Sequence, residues 1–541
     1  MRSLPWQRIA LLALLIVTTI SLLPGNSESR RLNYHEILVA QTATEMLENS
    51  EFLVPSLMGE PRLKKPPLSY WLSIIAHKVL DRSSRSRISE FEARLPSLVS
   101  GLLLILVTYG LGRLATGKPQ GGLIAASFLV TSVSFFIYTR NARPEMIYAL
   151  LCALMTLGLL LAIRRAEQGR PTTAAAIVAW SAFSISFLAK GPQFPLFILL
   201  GFVLGMVFLR PRLPLLATLH PWMALPALVL PLAYFAYLGF HVDNAFALWG
   251  NEMAQGDHIP LWKRPLRFYY PVILFVGLAP WLIVFATTLK DIWKRREHTI
   301  LILACCVLVS VCLVSFAGKL RPHYLLPVMP ICATLMAWSI LNAGKSLRAN
   351  TPQPLLFKIL AWSQFALVGV VLIALLVTFV VNEGGTNKLD LVYAAIPWLV
   401  VSGALYVSAA IAASRSTTVT AVVLVASILC SFAAFSRMQI DDSKSTQSAY
   451  RFVAQVEAYL SADTQLYINS NKLLYYYYYS SETPEIRSLE NWQSSRRPGE
   501  NAFFIIRMDI LKNHGWQGEL IIVQELDSKD KAMVLFRPAA Q

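Results

Sequence analysis

Residues 146–163 read MIYALLCALMTLGLLLAI, an apolar run without a charged side chain. A helix needs about 20 such residues to cross the hydrocarbon layer of a membrane. Similar runs recur along the chain, and we expect the first of them to be a retained anchor because no small-residue cleavage site follows it. Together they predict thirteen membrane-spanning segments, at residues 9–25, 95–114, 120–139, 146–163, 172–189, 193–209, 218–240, 269–289, 299–317, 324–342, 358–381, 391–413 and 418–436.

The composition also indicates a polytopic α-helical membrane protein. Hydrophobic residues make up 55% of the 541 residues, charged residues only 15%, and the mean hydropathy is +0.52. Soluble proteins are about 25% charged, so an ordinary cytosolic globule, a disordered chain and a fibrous protein are excluded. The net charge of +17 (48 − 31) indicates basic cytoplasmic loops and anionic lipid rather than nucleic acid. All six cysteines lie in apolar runs, which predicts neither a disulfide framework nor a metal cluster.

The basic residues between the runs predict the orientation of the chain. With the N-terminus in the cytoplasm, the inner loops hold compact Lys/Arg clusters, as the positive-inside rule expects. The C-terminus then lies outside, in the periplasm of a bacterial inner membrane. The outer loops carry cations as well, which indicates an anionic substrate headgroup at the outer face or non-specific contacts with lipid phosphates. The inner clusters are Arg113/Lys118, Arg164/Arg165/Arg170, Arg210/Arg212, Lys290/Lys294/Arg295/Arg296, Lys345/Arg348 and Arg415.

Residues 437–541 differ in character from the membrane part, residues 1–436. They are polar and mixed, with strand-like runs at Gln465–Asn469, Ala502–Arg507 and Glu519–Val523 and a helical stretch at Ser448–Leu460. This pattern predicts a small extracytoplasmic α/β domain. The tyrosine run Tyr475–Tyr479 is more typical of a strand with alternating buried and exposed rings than of a platform for a sugar or lipid.

The first outer loop, residues 26–94, is the longest interruption of the membrane part. Apolar residues between Ile37 and Leu47 are spaced as in an amphipathic helix, which we expect to lie along the membrane surface. His35 and Glu36 stand at its start, either as groups that move protons or as charges paired with the helix dipole. Farther on, Pro66 and Pro67 fix an extended path that presents Lys64 and Lys65 at a defined place.

Three further segments have a charged residue next to a Gly or Pro at the end of an apolar run. Glu145 follows Arg143-Pro144 and is either a salt-bridged anchor or part of a site. Lys190 precedes Gly191-Pro192, so it either snorkels to the interface or is aimed into a cavity. The third segment contains Arg321 and Tyr324.

These segments, in this order, resemble the GT-C superfamily of polyprenyl-phosphate-dependent glycosyltransferases, in the branch of the protein O-mannosyltransferases and the aminoarabinose transferase ArnT. The resemblance covers most of the chain and is weakest after about residue 345. The residues of the first outer loop are the most specific part of this resemblance. The matching residues are Glu36, Glu45-Met46-Leu47, Leu53-Val54-Pro55, Gly59-Glu60-Pro61, Lys65 to Leu72, Arg94-Leu95-Pro96-Ser97, Arg143-Pro144-Glu145, Lys190-Gly191-Pro192, Pro280-Trp281 and Lys319 to Pro327.

The resemblance implies inverting transfer of a sugar from a polyprenyl-phosphate donor to a lipid A-type glycolipid, a glycan or a protein at the outer face, in contact with membrane lipids. It implies a carboxylate near the acceptor and cations around the leaving phosphate. We therefore predict the catalytic residues to be Glu36, Glu145 and His35, and the donor-phosphate ligands to be Lys65, Lys64, Arg143, Lys190, Arg321 and Tyr324.

The sequence departs from the pattern of the family at several positions. His35 stands where the family usually has Asp, and Leu38 where it has Arg. Lys64 replaces a Glu that resembles a metal ligand, and its cation can substitute for the charge of the ion. His258 is a weak candidate for the second ligand, so we expect no required cofactor, and a divalent metal is doubtful.

Two rival interpretations remain open at this point. A flippase for lipid-linked sugars usually has internal repeats and broken, polar helices at mid-membrane, and neither pattern stands out here. A non-catalytic scaffold with a degenerate site is the other alternative, because the usual Asp and Arg are missing.

Overall fold

A computed structural model of the chain describes most of its residues. These are 6–26, 30–80, 87–209, 216, 219–248, 269–316, 321–346, 362, 397, 399–409, 411, 417–438, 444–460, 464–469, 473–480, 484–495, 501–524 and 532–539. The predicted segment 358–381 and most of the loop 241–268, with His258, lie outside the described residues. The predicted total of thirteen spans therefore stays a prediction.

The membrane part is a bundle of helices whose bounds follow the apolar runs. Its first helices are α1 Trp6–Leu22, α2 Tyr34–Glu48, α3 Leu68–Val79, α4 Glu90–Thr116, α5 Pro119–Val130, α6 Val133–Thr139, α7 Glu145–Glu167, α8 Thr173–Ala189 and α9 Gln193–Leu209. Those that follow are Ala224–His241, Tyr269–Gly277, Leu282–Arg295, His298–Ser315, Met329–Ser346, Leu399–Ala409 and Thr417–Met438, with single 3-10 turns at Leu23–Asn26, Pro221–Met223 and Pro322–Val328.

Five helices within the described residues are long and apolar enough to span a membrane, or up to seven if each bent pair is one span. Two runs that we predicted as continuous spans are bent, so the prediction of a straight span was wrong for both. The run 120–139 bends by 66° between α5 and α6, and the run 269–289 bends by 115°. The first break is stabilised because the Ser132 hydroxyl caps α6, and the two breaks meet where the Trp281 indole donates to Thr131 Oγ1 at 2.8 Å.

Small residues allow the helices of the bundle to pack closely. A Cβ atom added at Gly158 of α7 would lie 2.7 Å from the backbone nitrogen of Ala179 in α8. One added at Gly201 of α9 would lie 2.6 Å from the Cα of Cys306. Glycine at these positions lets the backbones approach, as in other membrane bundles.

The first outer loop folds into α2, a short antiparallel hairpin and α3. Its hairpin pairs β1 Ser56–Leu57 with β2 Glu60–Pro61. The predicted helix is present as α2, and its position along the membrane surface stays a prediction. Its residues from Glu36 to Met46 are almost all buried, because α2 packs between α3 and the C-terminal domain.

The C-terminal domain contains a five-stranded sheet of order β4-β3-β5-β7-β6. The strand β3 is parallel to β4 and β5, and β7 is antiparallel to β5 and β6. The three predicted strand runs and the predicted helical stretch are confirmed. The strands are β3 Thr464–Ile468, β4 Glu485–Ile486, β5 Asn501–Arg507, β6 Gly518–Val523 and β7 Met533–Pro538, and the helices are Lys444–Glu457, Leu474–Tyr479, Leu489–Ser495 and Met508–His514.

The tyrosine run forms the short helix Leu474–Tyr479, so the predicted strand was wrong there. A helix points successive rings in different directions, so the run contacts both the interior of the domain and the first outer loop. The Tyr476 hydroxyl donates to Gln524 inside the domain at 2.8 Å, whereas the Tyr478 hydroxyl donates to the Ile88 carbonyl of the first loop at 2.8 Å. The run therefore joins the domain to the membrane part.

Candidate active site

A buried carboxylate, that of Glu145, lies at the centre of a cluster of cations. Glu145 is the first residue of α7, where the helix dipole favours a negative charge. The Lys190 Nζ donates to its Oε1 at 3.2 Å, and the His323 Nε2 lies 3.4 Å from the same oxygen. The Arg143 Nε is 3.7 Å from Oε2. Three segments that are far apart in the sequence thus meet at one carboxylate.

The turn after α8 aims Lys190 at this carboxylate. Gly191 has a φ of +111°, a conformation that side-chain-bearing residues rarely adopt. The Tyr148 hydroxyl donates to the Gly191 carbonyl at 2.8 Å and accepts from the Phe194 amide at 3.1 Å. Lys190 is therefore held in a fixed turn and points inward, instead of extending to the interface.

The 3-10 turn Pro322–Val328 closes the cluster from another side. The ring of Tyr324 lies under Lys190, whose Nζ is 4.9 Å from the ring centre, and stacks on Tyr270. The Tyr270 hydroxyl accepts from the Arg321 amide at 3.2 Å. His323 is a residue that the sequence reasoning missed, although it lies in a segment singled out there. Only its position between two predicted ligands could have identified it.

Lys65 reaches the cluster from the first loop. Leu63 packs with Leu188 and Tyr234 in one buried group, which places the loop next to the turn of Lys190. Burial, and then the charge of Lys190, lower the pKa of Lys65 to about 8. Lys64, which we also predicted to bind the donor phosphate, is exposed. Of these two lysines, Lys65 is the one that is partly buried beside the other cations.

The adjacent residues His35 and Glu36 face different surroundings. The side chain of His35 is accessible, and the surrounding protein together with the charges of Arg143 and Arg321 lowers its pKa. A lowered pKa leaves this imidazole neutral at pH 7, so it is able to accept a proton. His35 is thus exposed and within electrostatic range of the cation cluster, whereas Glu36 is buried.

The Glu36 carboxylate is the centre of a buried hydrogen-bond network. It is 1% exposed and accepts from the Arg94 Nε at 2.9 Å and from the Arg30 Nη2 at 2.9 Å. It also accepts from the amides of Asn33 and Ala142, each at 3.0 Å, and completes a capping box with Asn33. Burial raises its pKa, but Arg94 and Arg30 outweigh burial and bring it to about 2. These contacts favour a positioning role, and a catalytic role for Glu36 stays a prediction.

This network fixes the segment that carries Arg143 and Glu145. The Ala142 amide is bound by Glu36, and the Ser97 hydroxyl donates to the Arg143 carbonyl at 3.0 Å. Arg94 also donates to the Arg30 carbonyl at 2.7 Å. The roles of Arg30 and Arg94 were missed from the sequence, because nothing in a linear pattern shows that both point at Glu36.

The C-terminal domain contacts the first loop through its tyrosines. The Leu32 amide donates to the Tyr479 hydroxyl at 3.0 Å, and Arg87 donates to the Tyr478 carbonyl at 2.7 Å. The Arg31 guanidinium lies 3.7 Å from the centre of the Tyr450 ring. The domain therefore contacts the same short stretch that leads into His35 and Glu36.

Replacing Tyr479 with phenylalanine is expected to lower the activity of the site by about 2- to 10-fold without unfolding the protein. The change removes one hydrogen bond to the Leu32 amide, worth about 0.5–1.5 kcal/mol, and leaves the ring in place. The measurement is the initial rate of sugar transfer at saturating donor. Tyr459→Phe is the matched control, since Tyr459 is on the same domain and is 54% exposed. Equal rates for both variants would show that the domain does not position the loop.

The pKa of Lys65 predicts a pH dependence of donor binding. The lysine is charged below about pH 8 and neutral above it, and only the charged form attracts a phosphate. The kcat/KM for the donor, which reports the pKa values of the free enzyme, is therefore expected to fall as the pH rises through about 8. In Lys65→Arg the guanidinium stays charged, so the fall should shift to higher pH. A wild-type profile that is flat from pH 7 to about 9 would contradict this role for Lys65.

The described residues do not fit a metal site in this cluster. No group of three or more His, Cys, Asp or Glu side chains that could hold an ion occurs in the described part of the chain. At the position where the resemblance implies a metal ligand, the exposed ammonium group of Lys64 cannot coordinate an ion while protonated. The weak candidate His258 lies outside the described residues.

Comparisons with known proteins agree with the arrangement of the bundle. Residues 64–237 match the dolichyl-phosphate-mannose-protein mannosyltransferase family model. The chain is 25% identical over 331 residues to the undecaprenyl phosphate-alpha-4-amino-4-deoxy-L-arabinose arabinosyl transferase of Edwardsiella ictaluri, covering 58% of this chain and 57% of the relative. It is 28% identical over 320 residues to an uncharacterized protein of Aquifex aeolicus, covering 56% and 58%. The chain thus spans less than two thirds of the length of these relatives.

The similarity in structure extends over nearly the whole chain. The crystal structure of ArnT from Cupriavidus metallidurans bound to undecaprenyl phosphate superposes with a TM-score of 0.75 at 16% sequence identity, covering 98% of both chains. Its apo state superposes with a TM-score of 0.74. The resemblance derived from the sequence motifs is confirmed by these matches.

Proposed function

We propose that this chain, a multi-pass membrane protein with the GT-C fold in the form found in ArnT, is an inverting glycosyltransferase. The donor is a sugar linked to undecaprenyl phosphate, and the acceptor is a component of the cell envelope on the periplasmic side. The observation that carries the proposal is the cluster of Lys65, Arg143, Lys190 and Arg321 around the carboxylate of Glu145. Such a cluster fits a phosphate that gains negative charge as it leaves.

The cations act on the leaving group. As the bond from the anomeric carbon to the phosphate oxygen breaks, that oxygen keeps the electron pair and the phosphate gains a second charge. Arg143 offers a planar guanidinium for two phosphate oxygens, and Lys65 and Lys190 offer point charges. Because Glu145 and the turn of Gly191 already hold Lys190, little reorganisation is needed in the transition state. The Tyr324 hydroxyl is the proposed neutral donor to the phosphate.

Glu145 is the proposed group for the acceptor. Its Oε1 is engaged by Lys190 and His323, whereas its buried Oε2 accepts no hydrogen bond from any described residue. An acceptor hydroxyl bound to Oε2 is oriented so that its oxygen attacks the anomeric carbon opposite the phosphate, while Lys190 and Arg143 keep the carboxylate ionised and make it a weak proton acceptor. His35, which is neutral at pH 7 and accessible, is the proposed acceptor of the hydroxyl proton.

The location of the cluster fits chemistry on one side of the membrane. Glu145 opens the long helix α7, and the basic pair Arg164 and Arg165 lies at its other end. By the positive-inside rule that basic end is cytoplasmic, which puts Glu145 and the cations at the periplasmic end. Lipid-linked donors and envelope acceptors both reach that surface. Curated relatives are named for transfer of an amino sugar. The proposal for this chain covers the class of donor and the side of the membrane, and it does not assign that sugar.

The test is a transfer assay with the purified protein in lipid. A panel of radiolabelled undecaprenyl-phosphate sugars is supplied with a total envelope extract, and the label is followed by chromatography. We expect label to move to one class of acceptor with the wild type and to stay with the donor for Glu145→Gln. Label that stays with every donor, while undecaprenyl phosphate still binds, would contradict the proposal and favour a non-catalytic scaffold. Transfer unchanged in Glu145→Gln would contradict the role of that carboxylate.

A further inference from the structure

The first outer loop contains another buried carboxylate, that of Glu45, to which the proposed reaction gives no role. Glu45 lies in the last turn of α2 and is 5% exposed. Its Oε1 accepts from the Met58 amide at 2.6 Å and from the Gln41 side chain at 3.0 Å. Its Oε2 accepts from the Ser56 hydroxyl at 3.0 Å and from the Gly59 amide at 3.2 Å. Three of these donors belong to the hairpin of β1 and β2, so the carboxylate joins that hairpin to α2.

The turn of this hairpin has a backbone conformation that needs such support. Its two residues, Met58 and Gly59, have φ angles of +54° and +80°. Positive φ at both residues suits a two-residue hairpin turn, but it is uncommon for a residue with a side chain such as Met58. The Glu45 carboxylate accepts from the amides of both turn residues, and the Met58 side chain packs in the same core as α2. Contacts with α2 therefore stabilise a turn that its own sequence disfavours.

The strand that leaves this turn leads to Lys65. The Arg62 amide donates to the Pro55 carbonyl at 2.7 Å, which extends the pairing of the hairpin by one residue beyond β2. Leu63 is 7% exposed and packs in the buried group next to the turn after α8. Lys65 follows two positions later, within electrostatic range of Glu145. A displacement of the hairpin would therefore move the Lys65 ammonium relative to the carboxylate of Glu145.

We infer, on the basis of the proposed function, that Glu45 is a positioning residue for donor binding, because through the hairpin it sets where Lys65 lies among the cations that receive the donor phosphate. The same helix carries His35 in its first turn. The proposed phosphate ligand and the proposed proton acceptor of the first loop are thus both tied to α2. Glu45 does not contact the substrate, since both of its oxygens are bound within the loop. Accurate placement matters, because a shift of about 1 Å in a group that acts on the substrate can lower a rate by about 10²-fold.

The experiment measures the binding of radiolabelled undecaprenyl phosphate to the protein in lipid nanodiscs. Glu45→Gln keeps the side-chain volume but replaces one acceptor oxygen with an amide donor, which then faces donors of the hairpin. We expect this variant to bind undecaprenyl phosphate about tenfold more weakly than the wild type. In a Lys65→Ala background the same change should weaken binding by less than about twofold, because Glu45 acts through Lys65. Glu60→Gln is the matched control and should bind like the wild type, since Glu60 is on the same hairpin but is exposed.

The two backgrounds distinguish positioning of Lys65 from a general effect on the fold. Wild-type binding by Glu45→Gln, or a loss of the same factor in both backgrounds, would overturn the inference and leave the proposed function intact. Wild-type binding by Lys65→Ala alone would instead contradict the place of Lys65 in the proposed function. If Glu45→Gln does not fold, Ser56→Ala provides the same comparison. It removes one hydrogen bond to Glu45 and is expected to weaken binding by about 2- to 5-fold, again only when Lys65 is present.

Discussion

Replacing Lys190 with alanine is expected to lower the turnover number for sugar transfer by about 10²–10³-fold, the usual effect of removing one preorganised group that stabilises charge in a transition state. Lys190 is held by the turn at Gly191 and lies 3.2 Å from Glu145. Its charge faces the place where the phosphate gains charge, so the loss should appear in kcat more than in KM. The measurement is the single-turnover rate with saturating donor.

Two matched variants distinguish the effect of the Lys190 charge on the rate from the effect of its side-chain packing. Lys190→Arg keeps the charge and is expected to recover part of the rate. Lys190→Met keeps most of the side-chain volume and should be as slow as the alanine variant. If Lys190→Met transfers sugar at the wild-type rate, the lysine is only a structural partner of Glu145, and the phosphate site must lie elsewhere.

Replacing Glu36 with glutamine is expected to cost about 3–5 kcal/mol of unfolding free energy, because it leaves buried cations without their counter-charge. The carboxylate binds Arg30 and Arg94 and also the amide of Ala142. Its pKa of about 2 means that it stays ionised at every working pH, so it is a weak proton acceptor. The measurement is reversible unfolding in mixed micelles, with transfer activity followed in parallel.

A double-mutant cycle distinguishes this positioning role from chemistry. Arg94→Gln alone is expected to be destabilising, and the double variant Glu36→Gln with Arg94→Gln should lose less stability than the sum of the two single changes. Glu145→Gln is the contrasting variant for activity, since it should abolish transfer through loss of the carboxylate proposed to bind the acceptor. A Glu36→Gln protein of wild-type stability that transfers no sugar would make Glu36 a catalytic residue after all.

Helix positions in the membrane part were predictable from the sequence because long apolar runs have few alternatives in a bilayer. The bends were not predictable to the same degree. The break at Thr131 and Ser132 depends on hydroxyls that bond to nearby backbone and on the indole of Trp281, 150 positions away in the sequence. Hydropathy does not register such contacts, so a bent pair is predicted as a single span.

The candidate site was partly predictable for a different reason. A charged residue beside a Gly or Pro at the end of an apolar run is unusual, and this pattern identified Arg143, Glu145 and Lys190. Their convergence on one carboxylate, and the addition of His323, depend on helix packing that no linear spacing contains. The different surroundings of His35 and Glu36 were not predictable either, since adjacent residues on a helix diverge by about 100° and one is exposed while the other is buried.

The tyrosine run shows how tertiary contacts override a local pattern. Its composition favours a strand, yet Tyr478 and Tyr479 bind Ile88 and Leu32 of the first loop. In the helix the adjacent Tyr478 and Tyr479 hydroxyls both reach the first loop while the Tyr476 hydroxyl bonds inside the domain, whereas adjacent residues of a strand point to opposite faces. For the predicted strands β3, β5 and β6, which pair within the sheet, the sequence pattern was sufficient.

The central claim is that the cation cluster breaks the bond between sugar and polyprenyl phosphate at the periplasmic surface. The most direct measurement is the stoichiometry of the reaction in sealed proteoliposomes, with free undecaprenyl phosphate and sugar-labelled acceptor both quantified by mass spectrometry. We predict one free undecaprenyl phosphate for each sugar transferred, with both products formed about 10²–10³-fold more slowly by Lys190→Met. Intact donor moving from one leaflet to the other, with no free undecaprenyl phosphate released, would contradict it and identify a flippase.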